Sequence, residues 1–128
     1  MDKPRIFIRK EIKKEIDPLV HLYFLNAHPN SKFPYAVSDI KEGNDEVHIP
    51  YYLEIEIQDE SNDTTEIENI CDDLKELLDR KKEVKDNYAY VIFFDSCNTK
   101  IDEEKFIKVK VLTFEIKMYQ YDTEKGEI

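Results

Sequence analysis

Between Ile49 and Gln58 the chain reads IPYYLEIEIQ, and from Tyr51 onward its side chains divide by parity. Tyr51, Leu53, Ile55 and Ile57 fall on one side, and Glu54, Glu56 and Gln58 on the other. A period of two belongs to a strand whose successive side chains point to opposite faces. The run therefore demands a sheet with one face packed and the other turned to water or to a partner. The following segment changes period. Ile67, Ile70, Cys71, Leu74, Leu77 and Leu78 recur at three and four residues, the stripe of an amphipathic helix, which should end near the basic run Arg80 to Lys82. Asp59 to Thr65 (DESNDTT) reads as the turn between the two. Thr65 and Glu68 have the spacing at which each side chain caps the other's backbone N–H, so a capping box is predicted there.

The remaining elements are read in the same way. Lys3 to Ile16 sets Ile6, Ile8, Ile12 and Ile16 among charges, with Pro4 suited to a first helical turn and Pro18 forcing a stop. A helix is expected, although Arg5 to Lys10 (RIFIRK) also alternates like a strand. His21 to Ala27 (HLYFLNA) predicts a short strand, followed by turn chemistry at His28 to Ser31. Phe33 to Val37 (FPYAV) opens another extended segment, and Lys41 to Glu46 (KEGNDE) a turn around Gly43. Tyr88 to Phe94 (YAYVIFF) is nearly apolar on both faces, which predicts a central strand. After the polar stretch Asp95 to Lys105, a last strand runs from about Phe106 to Tyr121. Its apolar parity switches from Ile107, Val109 and Val111 to Leu112, Phe114, Ile116 and Met118. Either a bulge or opposite coverage at the two ends would explain that switch. With two glycines and no repeat or linker, residues 1–128 read as one domain. The expected class is α+β: a mostly antiparallel sheet of four to five strands packed against one long helix, with an additional N-terminal helix.

Charge narrows the function. Asp and Glu number 29 against 19 Lys and Arg, a formal net charge of -10, whereas nucleic-acid binding depends on neutralising phosphates with Lys and Arg. Binding DNA or RNA across a broad face is disfavoured. Tyr88, Tyr90, Phe93 and Phe94 could stack bases, but without surrounding Lys or Arg they read as core. No apolar run approaches the length of a membrane span, and the opening MDKPRIFIRK lacks an apolar stretch with a small-residue cleavage site. A soluble intracellular chain is expected, with Cys71 and Cys97 reduced rather than paired.

Chemical sites are weighed against plainer roles. Asp59, Ser61 and Asp63 imitate the first ligands of a calcium loop, but Thr64 stands where the sharp-turn glycine belongs and Ile70 where the bidentate glutamate belongs. Glu54 and Glu56 could supply paired carboxylates, yet alternating acids on a strand are usually its wet face, and a partner surface lies between those readings. His21, His28 and His48 have no metal-ligand spacing, and no close cysteine pair suggests zinc. Cys97 beside Asp95 and Ser96 has no base identified to activate it. No catalytic residue, metal or cofactor is expected, and the chain is read as not an enzyme.

The order of elements and three local sequences resemble one family, the tail terminator (tail completion, head-tail joining) proteins of long-tailed bacteriophages and prophages. The segments are YLEIEIQDESNDTTEIENICDDLKELLD from Tyr52 to Asp79, FPYAV before it, and the closing VKVLTFEIKMY from Val109 to Tyr119. The resemblance covers most of the chain. It implies an α+β virion assembly subunit that forms a six-membered homo-oligomeric ring, caps the tail tube, ends its elongation and joins it to the head. Its partners would be its own copies, a tail tube protein and a head connector protein. DNA would pass through the acidic channel without specific binding, in the bacterial host cytoplasm during assembly and then in the virion. Such a protein works through surfaces, and the candidates here are Glu54, Glu56, Asp59, Glu60, Asp63, Asn98, Lys100 and Asp102, on one strand face and in two polar connections. The competing expectation is an acidic inhibitor or immunity-type protein that covers a basic protein partner.

Overall fold

The computed structural model describes residues 3–25, 27, 32–43, 49–61, 63–85, 87–102 and 107–120. The chain runs α1 (Pro4–Ile16), β1 (Leu22–Phe24), β2 (Tyr35–Glu42), β3 (Ile49–Asp59), α2 (Thr65–Leu78), β4 (Lys82–Lys85), β5 (Tyr88–Asp102) and β6 (Ile107–Gln120). All six strands join one curled sheet in the order β1-β2-β3-β6-β5-β4. β1 pairs with β2 in parallel, and every other neighbouring pair is antiparallel.

This corrects the expected class. Among the described residues the protein is strand-dominated, its sheet is mixed and has six strands, and no single long helix packs on it. α1 has 13 residues and α2 has 14. The two short helices share one face of the sheet, where their side chains and those of the strands form a single apolar cluster. Phe7, Ile8, Ile12 and Ile16 from α1, and Ile67, Cys71, Leu74 and Leu78 from α2, meet Leu53, Ile55, Ile57, Phe114 and Ile116 there. Among the described residues, no helix is long and apolar enough to cross a membrane.

Two misread strands account for most of the difference. The helix is expected to end near the basic run Arg80 to Lys82, with no strand expected before Tyr88, but Arg80 takes a positive φ of 63° and turns the chain back so that Lys82–Lys85 pairs along Tyr88–Val91. The stretch from Asp95, read as polar connection, continues β5 as far as Asp102. β5 is also not central, because β3 and β6 hold the middle and β5 has only short β4 beyond it. Phe93 accordingly stays 38% exposed.

The register settles the parity switch of the last strand. β6 pairs without interruption with β3, from Ile49 opposite Met118 to Asp59 opposite Lys108. Leu112, Phe114, Ile116 and Met118 therefore face the helices, while Ile107, Val109 and Val111 face the other side. Opposite faces are covered at the two ends, and β6 itself carries no bulge. The irregularity lies in the partner strand, where Asp95 is an extra residue between the pairs Phe94–Phe114 and Ser96–Thr113.

The helix starts differ from a simple capping reading. α2 begins at Thr65, yet the predicted box with Glu68 does not form, since Thr64 and not Thr65 occupies the N-cap position and no side chain caps there. Asp63 Oδ1 instead accepts the Thr65 N–H at 2.9 Å and the Thr65 hydroxyl at 2.6 Å. Glu68 is drawn to Lys110 of β6 at 2.7 Å. At the other helix, Asp17 Oδ1 accepts the Leu22 N–H at 3.0 Å and a bond from Lys13 Nζ at 3.3 Å, joining the end of α1 to β1.

Candidate functional site

The side of the sheet away from the helices has no second layer of secondary structure among the described residues, and the alternation of β3 sets what it shows. Glu54, Glu56 and Gln58 are half-buried there, and Tyr52 is exposed. Opposite them stand Thr113, Val111 and Val109 of β6. Those three are paired in turn with Ser96, Asn98 and Lys100 of β5. Three rungs result: Glu54-Thr113-Ser96, Glu56-Val111-Asn98 and Gln58-Val109-Lys100.

The bulge at Asp95 makes this alignment possible. Before it, even-numbered β5 residues (Tyr88, Tyr90, Ile92) point into the core, and after it Ser96, Asn98 and Lys100 lie on the open side. At the far end the floor is apolar. A hollow of about 440 Å³ is lined by Tyr35, Glu56, Gln58, Lys100, Ile101, Ile107 and Val109. Tyr35 donates its hydroxyl to Gln58 Oε1 at 3.0 Å, and Ser96 and Thr113 hydroxyls share a bond at 2.6 Å. Tyr35 also heads a ring cluster with Tyr23 at 6.0 Å and Phe33 at 5.1 Å, and His21 meets Tyr23 edge-on at 4.6 Å.

Of the residues singled out in the sequence, Glu54, Glu56, Asn98 and Lys100 are thus brought together on one face. Glu60 and Asp63 are exposed at the turn before α2. Asp59 is only 3% exposed, closing β3 on its core side, where Oδ1 accepts the Ser61 N–H at 3.3 Å and Oδ2 finds no hydrogen-bond partner among the described residues. The backbone of Asp102 ends β5, and its side chain, with His28 and His48, lies outside the described residues. Lys108 donates to the Ser61 carbonyl, tying the turn to β6. Tyr35, Ile107 and Val109 were not singled out as site residues, although Ile107 and Val109 belong to the first apolar parity of the last strand.

Electrostatics on the helix side are local. The bonds that Asp63 accepts from Thr65 hold its carboxyl below the usual value. The bond from Lys110 to Glu68 raises the Lys110 ammonium, against a smaller effect of burial. Burial pushes the Cys71 thiol up to about 12, with Cys97 adding to it. No group of three or more His, Cys, Asp or Glu among the described residues is placed to hold a metal ion. What the open face offers is a shallow surface of mixed acid, amide and apolar groups, suited to contact with another macromolecule.

No family model and no curated protein matches the sequence. Among solved structures, a chain of the virion of a native gene transfer agent (GTA) particle has the same fold, with a TM-score of 0.60. The match covers 88% of this chain and 90% of that one at 12% identity.

Proposed function

We propose that the protein is a structural subunit of a phage-like virion, which caps the tail tube, ends its elongation and joins it to the head as a ring of identical copies. The fold shared over nearly the full length of a GTA virion chain carries this reading. The order of motifs from FPYAV to VKVLTFEIKMY supports the more specific role at the tail end. The chain acts through surfaces and not through catalysis, its partners being its own copies, a tail tube protein and a head connector protein, and its place being the assembled particle.

The charge fits passage of DNA. A ring multiplies the net charge of -10 by the number of copies, and an acidic channel repels phosphates instead of gripping them. The test is to polymerise a phage tail tube protein, with and without the purified protein, and to measure tube lengths by electron microscopy. Tubes that stop growing and carry an end density are expected. Tubes of unchanged length with no bound protein overturn the reading. Tight, salt-sensitive binding of a monomer to a basic protein would favour the inhibitor alternative.

A further inference from the structure

The two helices carry opposite charge on different parts of the surface. α1 holds Arg5, Arg9, Lys10, Lys13 and Lys14 against Glu11 and Glu15, a net of +3 within a chain of -10. Its two acids are turned towards β4 and the turn before it, pairing with Lys85 at 3.1 Å and Lys81 at 3.4 Å. The remaining flank is basic around an apolar hollow of about 310 Å³ lined by Ile6, Arg9, Lys10, Lys13 and Phe24. Ile6 is 47% exposed, and the Arg9 guanidinium lies 4.6 Å from the Phe24 ring centroid.

α2 is the complement. It holds Glu66, Glu68, Asp72, Asp73 and Glu76 against Lys75, a net of -4. Glu68 is engaged by Lys110, and Lys75 lies over the Phe94 ring at 4.6 Å. Glu66, Asp72, Asp73 and Glu76 are exposed and make no ion pair among the described residues. Half-buried Ile70 sits in their midst, in a hollow of about 350 Å³ lined also by Glu66, Asn69 and Asp73.

Resting on the ring reading above, we propose that the basic flank of α1 in one copy seats the acidic outer face of α2 in the next. The occupant is a second copy because the matching charge and apolar centre are present in this same chain, and no ion pair joins the two helices within one molecule among the described residues. A contact between two different patches is head-to-tail, the type that closes into a ring when the rotation fits. Like charges set opposite each other across such a contact weaken it by roughly a hundredfold or more.

The experiment measures absolute mass by light scattering across concentration and salt for the wild type and two variants, Lys10→Glu/Lys14→Glu and Asp73→Lys/Glu76→Lys. All four positions are exposed, and circular dichroism melts check that the variants fold. Each variant alone is expected to stay monomeric where the wild type assembles. Mixed in equal amounts they are expected to reassemble, since every contact in an alternating ring then pairs opposite charges. Variants that assemble like the wild type overturn this contact and leave the ring intact. Variants that fail alone and also when mixed overturn it as well. A wild type that neither self-assembles nor oligomerises on tail tubes overturns both the contact and the ring. Duplex DNA binding lost in Lys10→Glu/Lys14→Glu with unchanged mass assigns the flank to nucleic acid and overturns the proposal.

Discussion

The β5–β6 pair is one ladder with two unlike ends. At the first, Tyr88, Tyr90 and Ile92 lie against Ile116 and Met118 under the helices, and Phe7 of α1 meets the Tyr88 ring at 4.7 Å. At the second, Asn98 to Ile101 are exposed, and β4 no longer covers the outer edge of β5. The backbone pairing is equally regular at both. Burial of side chains, not hydrogen bonding, therefore separates a part that holds the fold from a part free to meet something else.

The largest expected effect tests that division. Phe114 is 1% exposed and meets Phe94 edge-on at 5.6 Å, so Phe114→Ala should cost about 3–5 kcal/mol. Ile101 is 66% exposed, and Ile101→Ala should change stability by no more than about 0.5 kcal/mol. Urea denaturation measures both. A large loss from Ile101→Ala would break the comparison and make the far end part of the core.

A second effect comes from alkali. Burial raises the Cys71 thiol from 9.0 to about 12 and also raises the Tyr51 and Tyr90 hydroxyls. The unfolded chain gives up these protons at lower pH than the folded one, so their contribution is complete below about pH 9 and falls as pH climbs towards 12. The urea midpoint should decline across that range. Cys71→Ala should flatten the decline nearest pH 9, and a variant that declines as steeply as the wild type would remove the thiol from the account.

Two carboxylates give a smaller and more discriminating contrast. Burial pushes Asp17 upward, but the Leu22 N–H and Lys13 outweigh it and hold the carboxyl below 3.8. Asp63 is lowered chiefly by Thr65. Both lowered groups stabilise the fold above about pH 4 and lose that contribution as pH falls through their folded values. Asp17→Ala removes the bonds from the Leu22 N–H and Lys13, leaving the Lys13 bond to the Leu22 carbonyl at 2.8 Å, and should cost roughly 1 kcal/mol, whereas Asp63→Ala, on an exposed turn, should cost less. Thermal melts at pH 7 rank the two, and the reverse order would mean that the turn before α2 is the stronger joint.

The sequence made one-sided burial legible and long-range pairing much less so. β3 could be read because Tyr51 to Ile57 alternate, and α2 because Ile67 to Leu78 hold a stripe. β4 could not, because only Glu83 of its four residues is even half-buried and the strand exists by pairing with Tyr88 to Val91. The parallel β1–β2 pair was equally hidden, since bonds from the Ala36 N–H to the His21 carbonyl and from the Leu25 N–H to the Ser38 carbonyl fix it. In the capping box, spacing alone misled: Asp63 is an acceptor within reach of Thr65, and Lys110 is a cation that only the folded sheet brings to Glu68. Of the candidate face, Glu54 and Glu56 followed from alternation. Their alignment with Asn98 and Lys100 depends on the one-residue bulge at Asp95, which no local pattern announces.

The smallest effect on stability, and the finest test of where the two ends divide, uses the native thiols. Cys97 is exposed and Cys71, on the inner face of α2, is 5% exposed. A thiolate is the reacting species, so burial protects Cys71 twice, by shielding the sulfur and by keeping it protonated at neutral pH. Alkylation followed by mass spectrometry should show Cys97 modified first, with no measurable shift in melting temperature for Cys97→Ser. Cys71 should react only as fast as the fold opens, and its rate should rise in Phe114→Ala in proportion to the lost stability. If Cys71 instead kept pace with Cys97 in the wild type, α2 would be lifting with the far end while the core end stayed closed. The boundary between scaffold and contact surface would then run along the inner face of α2 rather than at Asp95.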